Sequence, residues 1–427
     1  MRLKIFFTSI ILSVLFFGCV QKSNWNQYLG PDRNNTISGV EILREWPENG
    51  PGKIWEKKLG PGYGGASVFE NEVFILDREK GESDILRCLD LETGEEKWNF
   101  EYEAKGEIPY PGSRTVPSID KDFVWSVGPH GHFYCLDKKT QKPVWSHDLM
   151  KEFDAKRPNW GFSQSPIIYN DLVIVAPQGA KAGVAAFNKT TGDLVWKSRS
   201  LTGHNFHVSP IIANYGSVDQ VIMISPYDRR DSTKIHEVVA FDVKSGEELW
   251  VYDGLKSFAT IAPPTVIDDT RLFLTDCSYN GNYNPVSIMI EITKKGEDFK
   301  VKELFLTEEA GCKMHPGIVV NDHIYLNNNG RPNELVCLTM DGKRAWEKES
   351  APNFEMGSII KVGDLLIVQN GKNGDIHLIE PLSGGYKELG KASFFNSTKS
   401  QAWGPMAFSE GKLLVRDMEK IVCVNLQ

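Results

Sequence analysis

The sequence has no excess of positive charge. Its 48 basic residues stand against 56 acidic ones, with a pI of about 5.7, so it lacks the basic face that phosphate contacts require and a nucleic-acid partner is disfavoured. It also lacks a membrane-crossing run. The apolar stretch Ile5–Phe17 holds 13 residues, short of the roughly 20 that a spanning helix needs, and no other stretch is long and apolar enough. No two cysteines are adjacent, and no G-x-S-x-G nucleophile turn occurs. The run "GPGYGG" at 60–65 is rich in glycine but opens no helix, which excludes a phosphate-binding loop. At 41% hydrophobic and 24% charged residues, the chain has the composition of a globular protein and not of a disordered or fibrous one.

What is present begins with "MRLKIFFTSIILSVLFFGC", a basic tip, an apolar core, then Gly18 and Cys19. It resembles a bacterial lipoprotein signal peptide in which Cys19 would become the lipidated first residue, although Phe16 stands where that pattern usually has Leu. A plain secretory leader with an incidental cysteine is the alternative. Both imply export. Residues 1–18 are thus read as a signal peptide, 19–50 as an anchor or linker, and 51–427 as one domain at the cell envelope, on the periplasmic face of the outer membrane.

The rest of the chain repeats itself. "CLDLETGEEKW" at 88–98 returns as "CLDKKTQKPVW" at 135–145, "AFNKTTGDLVW" at 186–196, "AFDVKSGEELW" at 240–250 and "CLTMDGKRAW" at 337–346. Each reads as the end of a strand, a short turn using Gly at positive φ, or Gln141 in its place at 135–145, and the start of the next strand. Degenerate copies are "MIEITKKGEDF" at 289–299, with Phe299 in the Trp place, and "LIEPLSGGYKEL" at 378–389, ending in Leu389. Trp55 has no turn before it, whereas the C-terminal "KIVCVNL" has the first strand and then stops. Joined, the two ends make one unit. Cys88, Cys135, Cys337 and Cys423 share a repeat position with Ala186 and Ala240, which marks a small inward-facing packing site. Cys277 and Cys312 lie outside the repeat, and a bridge between them stays open.

A second column supports the count. Small or proline-containing starts followed by β-branched residues occur at Ala66, Pro117, Pro166, Pro210, Pro264, Pro316, Gly357 and Pro405. Eight units of four short strands, repeated radially, predict an all-β, eight-bladed β-propeller of antiparallel blades closed by strands from both termini. The repeat resembles the tryptophan-docking motif of the pyrroloquinoline-quinone (PQQ) repeat superfamily. That resemblance implies that Trp55, Trp98, Trp145, Trp196, Trp250 and Trp346 wedge between blades as structural residues.

In a propeller the loops entering the innermost strands line the central channel, so the residues just before the eight starts are the candidate ligand site. Tyr63, Arg114, Trp160, Gln164, His204, His207, Lys313, His315, Glu355 and Trp403 combine cations, imidazoles, aromatics and one carboxylate there. His204 and His207 sit in a loop without a nearby Cys or carboxylate, and His130 with His132 is no better supported, so no metal site is expected. Within the superfamily, the PQQ-dependent alcohol dehydrogenases need cations, a Ca²⁺ held by oxygen ligands, a carboxylate base and stacking planes. Arg114, Lys313, Trp160 and Trp403 supply part of that set, but the adjacent cysteines of those enzymes are missing and only Glu355 is acidic. The chain's length and leader are also similar to those of the cofactor-free propeller lipoproteins of outer-membrane assembly. The expectation is a non-catalytic scaffold without cofactor, a monomer within a complex of envelope proteins, held to the membrane by its lipid. Quinone-dependent oxidation and glycan or metabolite binding in the funnel are the alternatives.

Overall fold

A computed structural model describes the chain apart from residues 1–23, 202–206, 227–235, 259, 280–281 and 396–400. Cys19 and His204 lie outside the described residues. The strands form eight sheets, six of them four-stranded, and the innermost strands begin one or two residues past the eight expected starts, at Ser67, Ser118, Ile167, Ile211, Thr265, Ile318, Ile359 and Ala407. Within each blade, successive strands pair antiparallel through tight connections. The blades press apolar faces together, and the shared repeat position is occupied by fully buried Cys88, Cys135, Cys337, Cys423, Ala186 and Ala240. All six cysteines of the described residues, Cys277 and Cys312 included, are free thiols.

The ring closes where the two ends were expected to meet. Lys53–Lys58 pairs antiparallel with Lys420–Asn425 as the outer strand of the eighth blade, and Trp55 faces Cys423. Two blades depart from four strands. The sixth has three, with a lone bridge from Leu338 to Arg344 in place of the fourth, and the seventh gains a fifth because Thr36–Ile37 pairs parallel with Lys361–Val362. From residue 24 onward the N-terminal segment is therefore packed into the ring. Trp25 bridges Val68 in the first blade, Asn26 bonds Ile119 in the second, and Arg33 Nη2 donates to Ile168 O in the third. The segment thus runs across the channel from the first three blades to the seventh.

The repeat motif has a physical reason. The ring of Trp196 lies where a Cβ on Gly246 of the next blade would come within 2.5 Å, and Trp145 and Trp55 sit likewise on Gly192 and Gly94. Each of those glycines has positive φ, so the turn and the close approach demand the same residue. The indole N–H groups of Trp55, Trp145 and Trp196 donate to Leu91 O, Lys189 O and Val243 O, at 2.8, 3.2 and 2.9 Å.

Two expected docking residues are corrected. In the fifth blade the position opposite the inward small residue belongs to Phe305, which pairs with Met289 and packs on Gly342, while Phe299 pairs with Lys294 near the hairpin tip. The hairpin Val286–Lys295 with Asp298–Thr307 simply runs on past the docking level before it turns. In the seventh blade that position is Gly390, opposite Leu378, and not Leu389; the ring of Trp46, from the N-terminal segment, fills the space over it.

Candidate functional site

The entering loops converge on a cavity of about 170 Å³ at the mouth of the channel. Tyr63, Arg114, Trp160, His207, Lys313, His315 and Trp403 all line it, so the structure brings together seven of the residues singled out in the sequence. Gln164 is buried behind the wall with its Oε1 facing Ser163 N, and Glu355 turns away from the cavity, its Oε1 accepting from Asn353 Nδ2. Among the described residues no group of three or more His, Cys, Asp or Glu side chains could hold a metal, and the lining contains no carboxylate.

Aromatic rings make the walls. Tyr63 stacks on Trp403 at 5.4 Å, Tyr110 meets the edge of Trp160 at 6.2 Å, and Trp160 stacks on His207 at 4.7 Å. His207 Nδ1 lies 3.0 Å from Ser163 Oγ; burial, with Arg114 and Lys313 nearby, lowers its pKa to about 3, so the ring is neutral. His315 is only 3% exposed, and burial lowers its pKa to about 4. Backbone groups of Met356 and Trp403 approach its ring without reaching hydrogen-bond geometry, and neither ring nitrogen has a partner among the described residues.

The two cations play different parts. Arg114 is a clasp: its Nη1 donates to Gly112 O and its Nη2 to Pro109 O and Tyr110 O, while the guanidinium stacks 5.3 Å over Tyr63. Burial lowers its pKa to about 10. Lys313 instead has its ammonium 5.6 Å over the Trp160 ring, and its charge acts on the buried carboxyl of Asp276 without a salt bridge within 4 Å among the described residues. A third cation, the guanidinium of buried Arg416, donates to Gly60 O and Gly64 O and so fixes the loop that carries Tyr63. That loop explains "GPGYGG". A Cβ on Gly64 would stand 2.5 Å from Thr115 O, and one on Gly65 2.4 Å from Pro405 O, so its glycines serve the approach of neighbouring blades.

Sequence reasoning missed Tyr28, Tyr110 and Met356, which also line the cavity. Tyr28 comes from the segment threaded beneath the channel, and no local pattern in the sequence places it there. Ser165 and Ser209, likewise in the lining, lace the blades: Ser165 Oγ accepts from Val116 N and Ser209 Oγ from Ser165 N. His130 and His132, raised in the sequence as a pair, lie away from the cavity; His130 Nε2 contacts Gly106 O and the Arg78 guanidinium, and His132 packs edge-on against Tyr102.

Comparison with known proteins fits the same architecture. The chain is 23% identical over 157 residues to the quinoprotein ethanol dehydrogenase of Pseudomonas aeruginosa, covering 36% of this chain and 24% of that protein. It is 22% identical over 218 residues to the quinoprotein alcohol dehydrogenase PedH of Pseudomonas putida, covering 50% and 32%. The matched region thus spans about a quarter to a third of those relatives. Among solved structures, the quinohemoprotein alcohol dehydrogenase of Comamonas testosteroni superposes with a TM-score of 0.65 at 11% identity, over 95% of this chain and 80% of that one. The computationally designed Ika8 protein superposes with a TM-score of 0.54 at 12% identity, over 86% and 98%. A family model described as "Outer membrane protein assembly factor BamB" matches residues 81–348, more than half of the sequence, and the chain belongs to that family of PQQ-repeat propellers.

Proposed function

We propose that this protein is a non-catalytic binding scaffold of the cell envelope, lipid-anchored through Cys19 on the periplasmic face of the outer membrane and working as a monomer within a complex of envelope proteins. The observation that carries the reading is the chemistry of the funnel: cations, neutral imidazoles and aromatic planes line it, and no Asp or Glu among the described residues does. A PQQ-dependent dehydrogenase needs oxygen ligands for Ca²⁺ and a carboxylate to take the alcohol proton. The aromatic walls and Lys313 would suit a planar anion, but the funnel offers no such ligand or base, so the lining does not fit a calcium-dependent quinone reaction. The quinone-dependent reading draws its support from the quinoprotein relatives and remains the alternative.

The deciding experiment loads the purified protein with PQQ and Ca²⁺, desalts it, and measures quinone absorbance and dye-linked alcohol oxidation. No turnover is expected. Calcium-dependent oxidation with one quinone retained per chain would replace the scaffold with an enzyme.

A further inference from the structure

We propose that the funnel is a binding site for a single-ring aromatic monocarboxylate bearing a hydroxyl group, its carboxylate at Lys313, its ring against Trp160 and its hydroxyl at His315. The inference builds on the non-catalytic reading and names what the site takes.

Charge comes first. Of the two cations in the lining, Arg114 is held in position by the carbonyls of Pro109, Tyr110 and Gly112, which leave its charge in place. Lys313 forms no ion pair within 4 Å among the described residues, and the carboxyl that its charge acts on, that of buried Asp276, is not in the lining. Two cations against one buried carboxyl leave a surplus of about one positive charge, which calls for one acidic group. Size gives the second guide, since the space of about 170 Å³ in this solvent-open site is close to the roughly 150 Å³ that accommodates one benzene ring. A tricarboxylate carries more negative charge than that surplus matches.

The buried histidine supplies the third. A polar side chain 3% exposed, with both nitrogens unbonded, costs stability unless something in the cavity bonds it. Burial keeps His315 neutral, so it offers one donor and one acceptor, the complement of a hydroxyl and a poor match for a second carboxylate.

Calorimetric titration of the full chain with benzoate, 3-hydroxybenzoate, 4-hydroxybenzoate and PQQ tests the inference. At least one hydroxybenzoate should bind at one per chain, about tenfold more tightly than benzoate, as one added hydrogen bond implies. Lys313→Met, which removes a half-buried ammonium that packs on Trp160 and also acts on Asp276 and His207, should weaken every carboxylate by at least about tenfold. His315→Phe, checked for folding by circular dichroism, should bring the hydroxybenzoates down to benzoate. The wild-type comparison needs no variant and stands if His315→Phe fails to fold. Absence of saturable binding by any single-ring acid, equal affinity for benzoate and both hydroxybenzoates, or an unchanged affinity in Lys313→Met would overturn the inference while leaving the scaffold reading intact. Turnover with PQQ would overturn the scaffold reading instead.

Discussion

Asp276 shows how much a single carboxyl beneath the funnel wall can weigh on the fold. It ends the second strand of the fifth blade, is fully buried, and accepts from the hydroxyls of Ser257 and Ser278. Burial outweighs those hydrogen bonds and raises its pKa to about 6. The folded chain therefore holds this proton more tightly than the unfolded chain does. The resulting stabilisation is complete below the ordinary carboxylate range and is lost as pH rises through about 6, amounting at most to roughly 3 kcal/mol. Asp276→Asn keeps an acceptor for both serines and removes the titration. Its stability relative to wild type should improve between about pH 4 and about pH 7. Thermal unfolding of both proteins across that range is the check, and a constant difference between them would show that the carboxyl does not titrate as burial dictates.

At the scale of the element, the blade is a hairpin repeat whose register is set by one aromatic ring seated on a turn glycine of its neighbour. The fifth blade tests this rule because two phenylalanines compete for the part. Phe305→Ala removes the ring that packs on Gly342 and should cost roughly 1–2 kcal/mol for a half-buried phenylalanine, whereas Phe299→Ala, a half-buried ring near the hairpin tip that seats on no turn glycine, should cost about 1 kcal/mol or less. Urea unfolding separates the two, and a larger loss from Phe299→Ala would restore the register that the sequence suggested. Much of the architecture was legible because its signals are local. Proline or a small residue, in most blades followed by β-branched residues, marked the innermost strands, and the Trp placed after the turn marked the outer ones. The fifth blade was misread because an aromatic happened to follow Gly296 at the usual spacing while the true docking ring came later. Much of the funnel was legible in the loops a few residues before the innermost strands, as Arg114, His207 and Lys313 show, although Gln164 and Glu355 in the same place do not line it. Its remaining parts depend on contacts across the ring. Trp46 fills the place over Gly390 from about 340 residues away along the chain, and the carbonyls that occupy Arg114 belong to a loop whose path only the fold decides.

For the whole molecule, the N-terminal region does two separable things. Residues 53–58 close the ring by pairing with the last strand, and residues 24–46 thread across the channel, supply Tyr28 to the cavity and bury Trp25, Leu29 and Ile37. A closed propeller has no long unpaired edge, whereas an open one exposes the strand Lys420–Asn425 together with the apolar face that Trp55 covers. A chain that starts at residue 51 should therefore remain a folded monomer. It should melt several degrees lower, having lost three buried apolar side chains worth roughly 1.5–3 kcal/mol each. A chain that starts at residue 60 loses the closing strand as well, and should unfold at much lower urea or associate through the exposed edge. Size-exclusion chromatography and urea titration of the two truncations distinguish the roles. Equal stability and equal elution would mean that closure by the terminal strand does not hold the ring together, and that the interfaces between blades suffice without it.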